Sequence, residues 1–432
     1  MKSRMRLTAF VVAFALLLVP QALVAQGLER VAPEEVGMSS ERLDRLSLAI
    51  EEYVDEGRLA GAVAIVVRRG KIAYLEAIGH RDVDAQAPMP ADAIFRIASQ
   101  TKALASIGVM MLQEEGKLLI TDPVGKYLPA FAETRVLETD DSGGHEIVAA
   151  RRPITIRDLL THTAGISYGM GLLGSRGPAA DAWEEAGITG WYLADRDETV
   201  GETMARLADL PMDAHPGESW IYGYNTDILG AMIEKISGQT LEAFLKERLF
   251  DPLGMTDTHF FLPQDKVGRL ATVYSSVDGG SRFERAPDAG TMVSQGHYVN
   301  GPRKAFSAGA GSLSTATDYA TFLQMMLNGG EFNGTRILSR KTVESILSDH
   351  LADIPFRPGQ GFGLGFSIMH DPAAAGLPGS VGEFGWGGAY HSTYWADPKE
   401  EMVVVYLTQI IPAINLDDQQ KLRTLVYQAI ID

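Results

Sequence analysis

Ser99-Gln100-Thr101-Lys102 is the stretch of this chain best equipped for covalent chemistry. It opens an apolar run, residues 103–112, that reads as a buried helix. Side chains three apart share a helix face, so Lys102 is expected to hold its amine beside the Ser99 hydroxyl. A serine hydroxyl attacks a carbonyl poorly unless a neighbouring base takes its proton, and a desolvated lysine amine can do so. The first turn of a helix also offers unpaired backbone N–H groups and the positive end of the dipole, both favouring developing negative charge. A capping serine followed by a surface lysine shows the same spacing, so the rest of the chain has to discriminate.

A competing serine lies in Gly165-Ile166-Ser167-Tyr168-Gly169, a Gly-x-Ser-x-Gly match. The nucleophile elbow of an α/β-hydrolase puts its serine between a buried strand and a helix. Here a helical segment precedes Ser167, and Gly169, Gly171, Gly174 and Gly177 follow it, so neither flank fits. His162 reads as a structural residue at a helix end. The nine histidines show no ligand spacing and there is no cysteine, so disulfides, thiol catalysis and thiolate metal sites are excluded and neither metal nor cofactor is expected.

The elements that must position these residues come from a chain of 432 residues, 46% of them apolar, enough for one large domain or two. A net charge of −17 argues against nucleic acid as a partner. Lys2, Arg4 and Arg6, an apolar stretch at 7–19 and Gln21-Ala22-Leu23-Val24-Ala25 together read as an export signal, residues 1–25, cleaved after Ala25. Pro20 and Gln21 interrupt the apolar run short of a spanning length. The expected product is periplasmic or secreted, with no stable membrane anchor.

Helical periodicity covers residues 34–56, 99–115, 155–162, 226–237, 241–249, 316–327, 341–348 and 416–431. Strands are expected at 62–68 and 71–79, joined by Arg69-Gly70, and at 391–396 and 401–409, joined by Asp397-Pro398-Lys399. Neither end has enough strands for a stable sheet alone. One antiparallel sheet built from both ends, with terminal helices packed on it, solves this. Residues 28–98 and 355–432 then form a discontinuous α/β domain and 99–354 a mostly helical one, with the active site in the cleft between them. Residues 165–190, rich in glycine, are expected as a surface flap.

Three further stretches fall in order along the chain: Pro216-Gly217-Glu218-Ser219-Trp220-Ile221-Tyr222-Gly223-Tyr224-Asn225-Thr226-Asp227, then Gly385-Trp386-Gly387-Gly388-Ala389, and the scaffold phrases Leu159-Leu160-Thr161-His162-Thr163-Ala164-Gly165, Pro252-Leu253-Gly254-Met255 and Ala308-Gly309-Ala310-Gly311-Ser312-Leu313-Ser314. With Ser99-x-x-Lys102, these make the chain resemble the serine β-lactamase and penicillin-binding-protein superfamily, and within it the class C-related family VIII carboxylesterases. The resemblance spans residues 34–409. It implies a β-lactamase/transpeptidase-like fold of the α/β class and an acyl-enzyme mechanism. Ser99 would be acylated, Lys102 would assist its deprotonation, and Tyr222 would carry the proton to the leaving group. The N–H groups of Ser99 and Ala389 would form the oxyanion hole. Trp386, Gly387, Gly388, Tyr224 and Asn225 would bind substrate.

Two departures set the expected chemistry. Where the lactamase pattern has Tyr-x-Asn, this chain has Tyr222-Gly223-Tyr224, with Asn225 one place later. Trp220, Tyr222 and Tyr224 also alternate as an aromatic strand would, which makes Tyr224 the rival to Tyr222. Where the pattern has Lys-Thr-Gly, Trp386-Gly387-Gly388 stands instead, removing the cation that would meet a substrate carboxylate. An uncharged, aromatic-lined pocket suits a short-chain neutral ester. The expected protein is therefore an exported carboxylesterase acting on a small-molecule ester. The alternatives are a β-lactamase or D-alanyl-D-alanine carboxypeptidase, a catalytically silent penicillin-binding-like sensor, and an α/β-hydrolase using Ser167. Retention of Ser99, Lys102 and Tyr222 together argues against the sensor.

Overall fold

Gly61–Arg68 is buried along its whole length. Its side chains alternate between two cores: Val63, Ile65 and Val67 face one, while Ala62, Ala64 and Val66 face the other. Its antiparallel neighbour Met402–Leu407 divides likewise, with Val403, Val405 and Leu407 on the first side and Met402, Val404 and Tyr406 on the second. Helices cover both faces, and that is why these strands read as unbroken apolar runs. The computed structural model describes residues 27–139, 143–170, 176–288 and 290–432; the expected export signal at 1–25 lies outside the described residues.

The nine-stranded sheet runs in the order Glu29–Arg30, Lys71–Asp82, Gly61–Arg68, Met402–Leu407, Ser392–Asp397, Phe384–Gly388, Ser367–Met369, Gln360–Phe362, with Ala87–Pro88 added to Lys71–Asp82. Strands from both ends of the chain thus meet at the Gly61–Arg68 and Met402–Leu407 pair. All pairings are antiparallel except the outermost, Glu29–Arg30 on Lys71–Asp82, which makes the sheet mixed. The second core joins Leu43, Leu46 and Ile50 of the helix Ser40–Asp55 to Leu422 and Val426 of the helix Asp418–Tyr427. Ser39 N donates to Ala429 O at 2.8 Å, tying the two ends together. The first core gathers the central helices, including Thr101–Glu114, Asn225–Ser237 and Ala316–Leu327.

Several expected elements change on folding. The helix over 34–56 is interrupted: Pro33–Val36 is a 3-10 turn, Gly37 takes φ 73°, and Ser39 then caps Ser40–Asp55 by accepting from Arg42 N. Residues 220–224 form no strand but a loop running into Asn225–Ser237. The 165–190 stretch is no surface flap in its described part, since Ile166, Tyr168, Trp183 and Ile188 are all core residues; residues 171–175 lie outside the described set. Gln360–Phe362 and Ser367–Met369 were not expected, because three residues are too few for alternation to register.

Candidate active site

Ser99 is presented by a turn held from three sides. Phe95–Arg96 pairs with Leu313–Ser314, and Ile97 N donates to Ser312 O at 3.0 Å. Ala98 follows with φ 42°, a left-handed backbone that costs an L-residue about 1–2 kcal/mol. Ser99 lies in the 3-10 turn Ala98–Gln100, which opens directly into the helix Thr101–Glu114. Gln100 Nε2 donates to Ser392 Oγ at 3.0 Å, Tyr319 Oη to Gln100 O at 2.9 Å, and Ser312 N to Thr101 Oγ1 at 3.0 Å. These bonds fix the angle at which the hydroxyl leaves the turn.

Lys102 is only 3% exposed, yet no carboxylate lies within ion-pair distance of it among the described residues. Its Nζ stands 3.4 Å from Ser99 Oγ and donates to Tyr168 Oη at 2.9 Å and to Gly309 O at 2.8 Å. A Cβ at Gly309 would fall 2.3 Å from Asp227 Oδ2 and 3.1 Å from Tyr168 Oη, so only glycine brings this carbonyl to the amine. Asp227 accepts from Ser307 Oγ at 2.7 Å and Gly309 N at 3.1 Å. Burial pushes its carboxyl pKa up, against those hydrogen bonds and the Lys102 charge. Burial likewise holds the Tyr168 phenol well above its ordinary value. Tyr168 is thus a neutral acceptor for the amine, a positioning residue. Tyr168 directly follows Ser167 in the Gly-x-Ser-x-Gly match and Asp227 ends the tyrosine stretch, but no spacing marks either as a neighbour of Lys102.

Tyr222 lies across the amine from Ser99. Its ring centroid is 4.4 Å from Lys102 Nζ, and Trp386 Nε1 donates to its Oη at 3.1 Å. The ring is packed by His162 at 4.7 Å and by Trp220, stacked at 5.6 Å. His162 is buried with φ 58° and pairs through Nδ1 with Asn225 Nδ2 at 3.0 Å. Burial and the nearby Lys102 charge hold its pKa well below the usual value, so it stays neutral. It supports Tyr222 and does not reach the cavity.

Two expected substrate-binding residues do not reach it either. Tyr224 is fully buried, packs on Tyr168 at 4.8 Å and donates to Gly190 O. Asn225 is also fully buried, donating to Ile166 O at 3.1 Å and Ile221 O at 3.2 Å. Entry into the Asn225–Ser237 helix turns both side chains into the core, where they brace loops. Ser167 is similarly withdrawn: its Oγ accepts from Gly169 N at 3.0 Å, and loops flank it on both sides instead of strand and helix.

Ser99 and Tyr222 line one cavity of about 470 Å³ with Trp386, Gly387, Gly388 and Ala389. Gly388 permits that closeness, because a Cβ there would stand 2.5 Å from Ile97 O and 2.4 Å from Ser392 Oγ. The strand Phe384–Gly388 therefore runs hard against the Ser99 turn. The expectation of an uncharged pocket does not hold. Arg357 also lines the cavity, its guanidinium 4.7 Å over the Trp386 ring and 5.2 Å over Phe356. It comes from a loop 29 positions before Trp386, and no motif marks it.

Residues 46–425 match the protein family described as Beta-lactamase. Protein Rv1367c of Mycobacterium tuberculosis (strain ATCC 25618 / H37Rv) is 36% identical over 389 residues, covering 87% of this chain and 92% of that protein. Esterase EstB of Burkholderia gladioli is 33% identical over 386 residues, covering 84% and 89%. Among solved structures, EstCE1, described as a hydrolase with promiscuous acyltransferase activity, superposes with a TM-score of 0.76 at 27% identity, covering 89% of this chain and 98% of EstCE1.

Proposed function

This chain belongs to the Beta-lactamase family and is a serine hydrolase with the β-lactamase/transpeptidase-like fold, and from that premise we propose that it is a carboxylesterase working through an acyl-enzyme on short-chain esters. The observation that carries this reading is that Ser99 and Tyr222 line one cavity, with the buried Lys102 amine beside both and Trp386 on the glycine strand that borders it. In the proposed cycle Tyr222 takes the Ser99 proton as its Oγ attacks the ester carbonyl, and Lys102 assists by lowering the barrier to that transfer. Tyr222 passes that proton to the departing alkoxide and then activates water to release the acid. The Trp386 N–H on Tyr222 Oη stabilises the phenolate form. The N–H groups of Ser99 and Ala389 hold the oxyanion. The indole also fills the space beside Tyr222 with a rigid ring, which a flexible acyl chain passes more readily than a fused bicyclic lactam.

The cleft reading belongs to the same proposal, with 28–98 and 355–432 as one unit, 99–354 as the other and substrate entering between them. A panel of phenyl acetate, phenyl butyrate, phenyl decanoate and a chromogenic cephalosporin tests the substrate class. We expect kcat/KM on the two short esters to exceed the others by about tenfold or more. Equal efficiency on the cephalosporin and the acetate overturns the esterase reading.

Among the described residues no helix is long and apolar enough to cross a membrane. The basic start, apolar stretch and Ala25 junction support export, to the periplasm or beyond. N-terminal sequencing of the protein from its native host is expected to begin at Gln26 or Gly27; a retained Met1 refutes export.

A further inference from the structure

The cavity wall carries a cation that the Ser99–Lys102–Tyr222 arrangement does not use. Arg357 stands over the faces of Trp386 and Phe356, and among the described residues no carboxylate lies within ion-pair distance of it. Arg423, the other arginine on this cavity, is by contrast tied to Glu383. Arg357 is itself exposed and lines the same cavity as Ser99 and Tyr222 without an ion-pair partner among the described residues.

Stacking makes this arginine a prepared receptor. Aromatic faces hold a guanidinium by cation–π attraction while leaving its N–H donors, which lie in its own plane, free to bond outward. Two such donors match the two oxygens of a carboxylate. Trp386 thus takes the place of a lysine in the motif and supports a different cation, delivered from the loop before Gln360–Phe362.

We propose that Arg357 recognises a carboxylate carried by the ester substrate away from the scissile bond, so that the preferred substrates are anionic esters. This rests on the esterase reading. The carboxylate could belong to the acyl part or to the alcohol part, and two substrate pairs separate these sources. Phenyl butyrate is compared with phenyl hydrogen succinate, and phenyl acetate with 4-acetoxybenzoate. Each pair is measured on wild type, Arg357→Gln and Arg357→Lys, so that intrinsic ester reactivity cancels between variants.

In at least one pair, Arg357→Gln is expected to lower the anionic-to-neutral ratio of kcat/KM by about ten- to a hundredfold, chiefly through KM. Arg357→Lys is expected to retain part of the ratio, because the charge survives but the planar fork does not. The responding pair identifies which part of the substrate bears the carboxylate. A ratio unmoved within about twofold in both pairs overturns the role of Arg357 and leaves the esterase reading intact. Failure of the wild type to hydrolyse any of the four esters overturns both.

Discussion

Replacing Ser99 by alanine is expected to lower ester hydrolysis by about 10⁴-fold or more, because among the described residues no other serine or threonine lining the cavity has a lysine amine beside it. The matched variant Ser167→Ala should keep activity within a few-fold. Its cost should be confined to stability, about 1 kcal/mol for the bond that its hydroxyl accepts from Gly169 N. Steady-state kinetics on phenyl butyrate, with mass-spectrometric mapping of a phosphonate adduct, checks both. A covalent adduct on Ser167, or substantial turnover by Ser99→Ala, overturns the assignment of the nucleophile.

Lys102→Met should lower kcat by about 10²- to 10⁴-fold with KM changed only a few-fold. Methionine preserves most of the volume while removing the amine that contacts Ser99 Oγ, Tyr168 Oη and Gly309 O. Loss of a buried cation offsets part of the penalty for leaving Tyr168 Oη and Gly309 O without this donor, about 1–3 kcal/mol each. The melting temperature should therefore fall by only a few degrees while catalysis collapses. Tyr168→Phe discriminates further: if Tyr168 only positions the amine, kcat should drop far less than in Lys102→Met. A Lys102→Met enzyme retaining a tenth of wild-type kcat is incompatible with Lys102 assisting the deprotonation of Ser99.

The parts of this site legible in the sequence are those settled by local geometry. Ser99 and Lys102 meet because three residues span nearly one helical turn, wherever the helix lies in the molecule. Gly61–Arg68 and Met402–Leu407 declared themselves as doubly covered strands by unbroken apolar runs, and their isolation at opposite ends of the chain forced them into one sheet. Only tertiary packing decided which aromatic faced the cavity. Trp220, Tyr222 and Tyr224 lie in a loop, where no period sets side-chain direction; Tyr222 turned to Lys102 because His162 and Trp220 pack its ring, and Tyr224 turned inward onto Tyr168 and Gly190 O. Arg357 belongs to the same class. Its charge was visible in the sequence, but its place over Trp386 depends on two segments meeting through the strands Gln360–Phe362, Ser367–Met369 and Phe384–Gly388. Nearest-neighbour spacing carries no information about such a contact, so the electrostatic character of the pocket was a property of the fold alone.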